Sequence, residues 1–337
     1  MHRFCFWILL FSFVACAPDG PPLPDISDIE IDLDLRRFEH DLAQMRNLDS
    51  TQNGAQVLRK AYPVFFDSIW LELLVPGKGK LLDSALVVAW DKQPALHKLL
   101  DSVQLAFPLD EMQAWQMDLE TAFTYAKYYF PEKPTPSVIT YPSELSLGAF
   151  TYGDSLLGIG LDFYLGHGFS AYDPMVIPRY IQRSMDADHI ASRAIEAWIS
   201  GQIGDAPGDR MLDRMIHNGK MLYIKERLLP HVADTAVLGF SKDQLEWLRN
   251  NEFEMWTHYL DKELLYQTNT SIIGKHVGPS PNAPGMPPEA PGANANWVGM
   301  RIIEQYMERR PDLDLQGLIS AKDSQRLLTE SKYKPKR

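Results

Sequence analysis

Residues 212–230 read LDRMIHNGKMLYIKERLLP and belong to a segment, about residues 209–229, that we predict to be helical. The turn Asn218-Gly219-Lys220 lies in the middle of this helix. A turn of helix can supply one ligand of a metal site, and the other ligands must then come from elsewhere in the chain. The question is therefore whether the other ligands of a metal site are present elsewhere in the chain.

The first residues, MHRFCFWILLFSFVAC, combine one arginine with an apolar run that ends at Ala15-Cys16. The run has about a dozen residues, fewer than the roughly 20 of a membrane span, and is typical of a signal peptide. A small residue before cysteine at the end of such a run indicates a bacterial lipobox, and an ordinary secretory signal is the alternative. We predict a lipoprotein signal peptide at residues 1–15 and lipidation of Cys16.

The cysteines and the charge exclude several classes of function. The chain has 2 cysteines, and Cys5 lies in the predicted signal. A mature chain that keeps only Cys16 has no disulfide, no cysteine-ligated zinc and no thiol nucleophile. The formal charge is −11, and the only basic run is the terminal SKYKPKR. Nucleic acid is therefore not an expected partner.

Proline density predicts that residues 16–28 form an extended tether after the lipidated cysteine. Residues 29–337 are predicted to form a single globular domain. Its fold class is predicted as α+β, mainly helical with a small antiparallel sheet. The stretch IEIDLDL at residues 29–35 alternates apolar and acidic residues and predicts an edge strand.

Short strand patterns follow at residues 137–166, with a hairpin turn at Gly153-Asp154. Helices are predicted at about 177–202, 209–229, 241–266 and 297–309, after an earlier one that begins near Pro108. Ser241 and Gln244 form a capping box. Residues 274–296, rich in proline, glycine, alanine and asparagine, predict either a flap over a groove or a mobile surface loop.

A zinc peptidase of the zincin class needs an HExxH helix and a third ligand from a later helix. No HExxH occurs in the chain. In the helix before the opening stretch, Arg179 and Arg183 stand one turn apart, with Tyr180 in the place of the glutamate. Arginine cannot bind a metal, and Asn218 would be a weak neutral ligand. Two arginines suit a carboxylate or phosphate, unless they are solvated or pair with neighbours such as Asp186.

Asp213 and His217 lie one turn apart on the predicted helix and could supply two metal ligands. A lone histidine on a helix is more often structural. The chain has no GxSxG nucleophile motif, and its glycine-rich stretch lacks the third glycine of a dinucleotide site. We therefore predict no metal and no other cofactor.

Several long blocks carry a resemblance to a known family. They are YYFPEKPTP at residues 128–136, GAFTYGDSLLGIGLDFYLG at 148–166, YIQRSMD at 180–186, LLPHVADTAVLGFSKDQLEWLRNNEFEMW at 228–256 and WVGMRIIEQYM at 297–307. With the opening stretch, they resemble the GldB family of gliding-motility lipoproteins of Bacteroidetes, from the lipobox to the last residues. The resemblance implies a lipoprotein of the gliding machinery or the related secretion apparatus, with no catalytic residue to carry over.

The order of elements is also similar to that of zincin-like proteases. It implies a peptidase-like architecture that lacks the zinc motif and keeps a cleft suited to an extended chain. The groove is expected between the helices at 177–202 and 209–229. Its candidate residues are Arg179, Tyr180, Arg183, Asp213, His217, Asn218 and Trp297.

The expected function is that of a non-catalytic binding or scaffolding component outside the cytoplasm. Its lipid would anchor it to a membrane, with the outer membrane favoured over the inner. Its partners would be envelope proteins or a peptide segment. Two alternatives stay open. One is a hydrolase, either a divergent zincin-like metallopeptidase or an enzyme with an unfamiliar site around His167, Asp213 and His217. The other is a structural envelope protein without a ligand groove.

Overall fold

The computed structural model describes residues 23–44, 51–70, 94–110 and 112–336. The predicted signal peptide, Cys16 and the first part of the predicted tether lie outside the described residues. No helix in those described ranges is both long and apolar enough to span a membrane.

The first half of the described chain combines short strands with helices. These elements are β1 (Leu35–Arg37), α1 (Phe38–Gln44), α2 (Thr51–Ala61), α3 (Pro63–Phe65, continued by a π-helix at Phe66–Trp70), α4 (Pro94–Ala106), α5 (Ala114–Tyr129), β2 (Ser137–Tyr141), β3 (Ala149–Tyr152), β4 (Leu156–Gly160) and a 3₁₀ turn at Leu161–Tyr164.

The second half is helical. Its elements are α6 (Arg179–Gln182), a 3₁₀ turn (Ala187–His189), α7 (Ile190–Ile203), α8 (Met211–Leu228), α9 (Asp234–Leu238), α10 (Lys242–Asn250), α11 (Glu252–Asp261), a 3₁₀ turn (Leu264–Tyr266), α12 (Thr270–Val277), α13 (Asn294–Glu308), α14 (Leu315–Ser320) and α15 (Ser324–Ser331). The mainly helical character and the helix predicted at 209–229 are confirmed.

The strands described form one mixed sheet in the order β1-β2-β4-β3. β2 runs parallel to both β1 and β4, and β3 pairs antiparallel with β4. The hairpin predicted at Gly153-Asp154 is confirmed, and Gly153 has the positive φ of 58° that glycine tolerates best. The prediction of an antiparallel sheet is wrong. Helices α1–α5 join β1 to β2, and a crossover of this length brings two strands together in the same direction.

The sheet lies between two hydrophobic layers, because successive side chains of a strand point to opposite faces. Val138, Leu157 and Ile159 pack into the larger core, which α5, α7, α8 and α13 build. Ile139 and Tyr141 pack on the other face, in a smaller core formed by α1–α4. The alternation within β2 thus ties the amino-terminal helices to the helical body.

Helix α8 crosses α13 at a contact of two glycines. A Cβ atom on Gly219 would lie 2.2 Å from the carbonyl carbon of Gly299. A Cβ atom on Gly299 would lie 2.0 Å from the carbonyl oxygen of Met215. Neither distance is possible for real atoms, so the two helices touch backbone to backbone and only glycine fits at the crossing.

Several predicted boundaries are wrong. The helix predicted to begin near Pro108 begins at Ala114, and the helix predicted at 241–266 is divided at Asn251 into α10 and α11. The strand predicted at residues 29–35 begins only at Leu35, although Ile31 and Leu33 pack against the larger core. The helix predicted at 177–202 is broken, because Asp186 has an extended backbone with φ −136° and ψ 172°. Arg179 and Arg183 therefore belong to a short helix and its cap.

Two other carboxyl-terminal predictions hold more closely. The capping box of Ser241 and Gln244 is confirmed, with the Gln244 N–H donating to Ser241 Oγ at 3.3 Å. The irregular segment predicted at 274–296 is shorter, because α12 extends to Val277 and α13 begins at Asn294.

We expect Gly219→Ala to lower the free energy of unfolding by about 1–3 kcal/mol, because the added methyl group forces α8 and α13 apart. Gly274→Ala is the matched control, since Gly274 is exposed in α12 and its Cβ would have no neighbour within 4 Å. That change should be neutral or stabilise the chain by up to about 1 kcal/mol. Urea unfolding followed by circular dichroism measures both. Equal stabilities for Gly219→Ala and the unsubstituted chain would show that the crossing tolerates separation.

Candidate functional site

A cleft of about 630 Å³ opens between α7 and α8. Its lining residues come from these two helices, from residues 180–189, 235–244 and 277–296, and from His167. Concave sites of roughly 300–1,000 Å³ are typical of ligand-binding pockets. The irregular segment between α12 and α13 forms one wall, which places the residues predicted as a flap at the cleft.

The α8–α13 crossing positions one side of the cleft. Asn218, next to Gly219, donates from Nδ2 to Oδ1 of Asn296 at 2.9 Å. Asn296 in turn donates from its own Nδ2 to the carbonyl of Val277 at 2.8 Å. This chain of amides links α8, α13 and the end of α12, so the wall has a fixed shape. The glycine contact, which lets the helices approach, makes the Asn218–Asn296 bond possible.

Glu196 of α7 and Lys225 of α8 form an ion pair at the cleft, with Nζ and Oε2 separated by 2.7 Å. The Lys225 side chain is only 4% exposed, whereas that of Glu196 is 34% exposed. Burial raises the pKa of Glu196, but the charges of Lys225 and Arg193 outweigh it and lower this pKa to about 2. The carboxylate is therefore ionised at neutral pH and neutralises the buried lysine.

Arg193 extends along the same wall and is held loosely. Its Nη2 donates to Oγ of Ser184 at 3.2 Å, and its Nη1 lies 3.5 Å from Oε1 of Glu196. Ser184 Oγ donates to the carbonyl of Ile181 at 3.0 Å. These contacts place the Arg193 guanidinium beside residues 181–184, where Arg183 also lines the cleft.

Three further polar residues of the cleft are hydrogen-bonded within the protein: Asp186, His189 and Ser192. His189 donates from Nδ1 to Asp186 at 2.6 Å. Burial raises the pKa of Asp186, but the interactions with His189 and with the backbone N–H groups of Asp188 and His189 together outweigh it and lower this pKa. Ser192 is buried and donates its hydroxyl to the carbonyl of Ala236 at 2.7 Å.

The structure brings three of the predicted site residues to the cleft: Tyr180, Arg183 and Asn218. Arg179 is exposed and lies outside the lining. Trp297 is 3% exposed and packs in the larger core.

Asp213 and His217 also lie outside the lining, although they occupy the same helix as Asn218. Asp213 accepts hydrogen bonds from Arg210 at 2.9 and 3.0 Å and caps the start of α8. Burial, together with the positive charges of Lys220 and Lys322, lowers the pKa of His217. No group of three or more histidine, cysteine, aspartate and glutamate side chains within the described ranges could hold a metal ion.

Sequence reasoning missed Arg193, Glu196 and Lys225. A signal for the ion pair was present, because Glu196 lies one turn from Ser192 and from Ile199, both buried positions of α7. A charged residue on a predicted buried face indicates a partner of opposite charge. The identity of that partner depends on how α7 packs against α8, which local patterns do not contain.

We expect Lys225→Met to lower the free energy of unfolding at pH 7 by about 2 kcal/mol. Removing one member of a buried pair leaves an uncompensated charge, and the partial exposure of Glu196 reduces the usual penalty. The double variant Glu196→Gln/Lys225→Met should recover most of this loss, because it has no unpaired charge. Urea unfolding of Lys225→Met, Glu196→Gln and the double variant measures the coupling energy between the two side chains.

The coupling should depend on pH. The pKa of Glu196 is depressed from 4.5 to about 2, so the pair contributes fully above about pH 4.5 and its contribution is lost as the pH falls toward 2. A coupling energy that is the same at pH 7 and pH 2.5 would contradict the ion pair as its source.

A family model described as gliding motility protein GldB matches residues 20–335. The match covers nearly the whole chain, so the chain belongs to this family, and the resemblance drawn from the sequence blocks is confirmed. Neither the curated proteins nor the solved structures compared with the chain contain a significant match. The prediction of a zincin-like architecture gains no support from these comparisons.

Proposed function

We propose that this member of the gliding motility protein GldB family is a non-catalytic binding component of the gliding machinery. Lipidated Cys16 would anchor it to the cell envelope, with the outer membrane favoured. The cleft between α7 and α8 would bind a polypeptide segment of an envelope partner protein. The observation that carries the proposal is this cleft, which has a fixed amide wall and a buried ion pair between Glu196 and Lys225.

The chemistry of the cleft suits a polypeptide. Asn218 and Asn296 present amide groups that can donate to and accept from a backbone, while Met221 and Leu222 of α8 supply apolar surface. Ligand sites typically combine apolar surface with a few fixed polar groups that orient the bound molecule. The volume of about 630 Å³ is enough for a short segment rather than a whole domain.

Three polar groups of the cleft that could take part in catalysis are already engaged: Ser184, Ser192 and Glu196. A nucleophilic serine needs a hydrogen bond to a base, yet Ser192 donates to the Ala236 carbonyl and Ser184 donates to the Ile181 carbonyl. In the described part of the chain, no hydroxyl is hydrogen-bonded to His189. Glu196 is paired with Lys225 and ionised, so it is not poised as a general acid at neutral pH.

Three of the residues predicted from sequence would contact the bound segment: Tyr180, Arg183 and Asn218. Arg179, Asp213, His217 and Trp297 would act only through the elements that carry them. The tether at residues 16–28 and the single domain at 29–337 are kept as part of the proposal, because a tethered domain can reach a partner in the envelope.

Met221→Trp tests the cleft in cells that depend on this chain for gliding. The larger ring fills part of the cleft, so we expect normal membrane levels of the protein and loss of gliding in single-cell tracking. Met117→Trp on α5 is the matched control, because Met117 is 50% exposed and lies outside the cleft lining. Normal gliding with a folded Met221→Trp chain would contradict the proposal.

Cys16→Ser tests the anchor. Without the thiol no lipid can be attached, so the protein should leave the membrane fraction and take up no labelled palmitate. Cys5→Ser, within the predicted signal, is the control and should remain lipidated. Equal membrane association and labelling of both variants would contradict lipidation at Cys16.

A further inference from the structure

The charged side chains of the cleft do not balance. Three cationic residues line it: Arg183, Arg193 and Lys225. Two carboxylates face them, Asp186 and Glu196. With histidines counted as neutral, the lining has one excess positive charge, whereas the whole chain has a formal charge of −11. A locally positive site on an acidic protein attracts an anionic group.

The excess charge lies on the two arginines. Lys225 forms an ion pair with Glu196, with 2.7 Å between Nζ and Oε2, and its side chain is only 4% exposed. It is therefore not available to a ligand. Asp186 accepts a hydrogen bond from His189 at 2.6 Å. Arg183 has no ion pair among the described residues, and Arg193 has only a long one, 3.5 Å to Glu196, so these two cations carry the excess charge.

Arg193 keeps donor capacity for a ligand. A guanidinium group has five N–H donors, and the Arg193 contacts are one bond to Ser184 at 3.2 Å and one long contact to Glu196 at 3.5 Å. Its side chain is 43% exposed. The bond to Ser184 fixes the direction of the group without saturating it.

Arg183 is adjacent in sequence to Ser184, which Arg193 contacts. Its side chain is exposed, lines the cleft and makes no hydrogen bond or ion pair with any residue that the structure describes. Ser184 thus brings the Arg193 guanidinium to the segment that carries a second, unoccupied arginine. Two such groups on one wall can hold a carboxylate from two directions.

We propose that the cleft recognises a carboxylate of its polypeptide ligand, held by the guanidinium groups of Arg183 and Arg193. The inference rests on the proposed function and names the group that the site selects. A carboxylate is favoured over a phosphate because its single negative charge balances the cleft, whereas a phosphate brings about −1.5 to −2 at neutral pH. The carboxylate is that of a chain terminus or of an acidic side chain.

The test uses the full chain, solubilised in detergent, and a random library of acetylated peptides in four forms. The first form has a free carboxyl terminus and no acidic residue. The other three are amidated and contain one aspartate or glutamate, one phosphoserine, or no acid. Peptides that bind the unsubstituted chain but not the Met221→Trp variant are cleft-dependent, and fluorescence polarisation measures their affinities.

We expect cleft-dependent peptides of the first or second form, which also identifies the source of the carboxylate. Arg183→Gln and Arg193→Gln should each weaken their binding about tenfold or more, since each removes charged hydrogen bonds. Arg214→Gln is the matched control. Arg214 has the same 43% side-chain exposure as Arg193, pairs with Asp209 at 3.6 Å and lies outside the cleft lining. Unfolding curves confirm that every variant is folded.

The outcomes separate the two proposals. Cleft-dependent peptides without an acid, or with phosphoserine preferred, would overturn the carboxylate inference and leave the binding function standing. Equal affinities for the two cleft arginine variants and Arg214→Gln would also overturn it. If no peptide depends on the cleft, polypeptide binding itself is wrong and the carboxylate inference fails with it.

Discussion

The contact of Gly219 with Gly299 is the constraint on which the rest of the structure depends. It lets α8 and α13 meet backbone to backbone, at a distance that any Cβ atom would prevent. Helix α8 therefore lies deep in the larger core, with Leu212, Met215 and Ile224 fully buried. The close crossing also brings the amide of Asn218 within 2.9 Å of Asn296 and so fixes one wall of the cleft.

The opposite wall is organised by charge. Glu196 and Lys225 neutralise each other between α7 and α8, at a place where an isolated charge would be costly. This pairing leaves Arg193 and Arg183 as the cations that face the opening. The cleft thus combines a rigid amide wall from the glycine crossing with a positive wall from incomplete charge balance. Both properties belong to the packing of α7, α8 and α13 rather than to any one segment.

The sequence predicted those features that depend on neighbours in the chain. The β3–β4 hairpin has its glycine turn, Ser241 caps α10, and the helix at 209–229 has the predicted extent. The sheet topology could not be predicted, because parallel pairing of β1, β2 and β4 depends on contacts distant in sequence.

The break at Asp186 was also missed, since its hydrogen bond with His189 forms only in the folded loop. Of the two arginines that precede the break, Arg183 lines the cleft and Arg179 does not. Asn218 of the opening stretch does line the cleft, where its side-chain amide donates a hydrogen bond to Asn296 of α13.

The central claim is that the cleft between α7 and α8 binds a polypeptide in the cell envelope. The most direct test places a photo-crosslinking amino acid at Leu222, which lines the cleft, in gliding cells. The same residue at Leu105, 86% exposed on α4, serves as the control. The account predicts a discrete crosslinked envelope protein from Leu222 that is absent from Leu105. A protein that crosslinks at Leu105 and not at Leu222, or no crosslink at Leu222 in cells that glide normally, would contradict it.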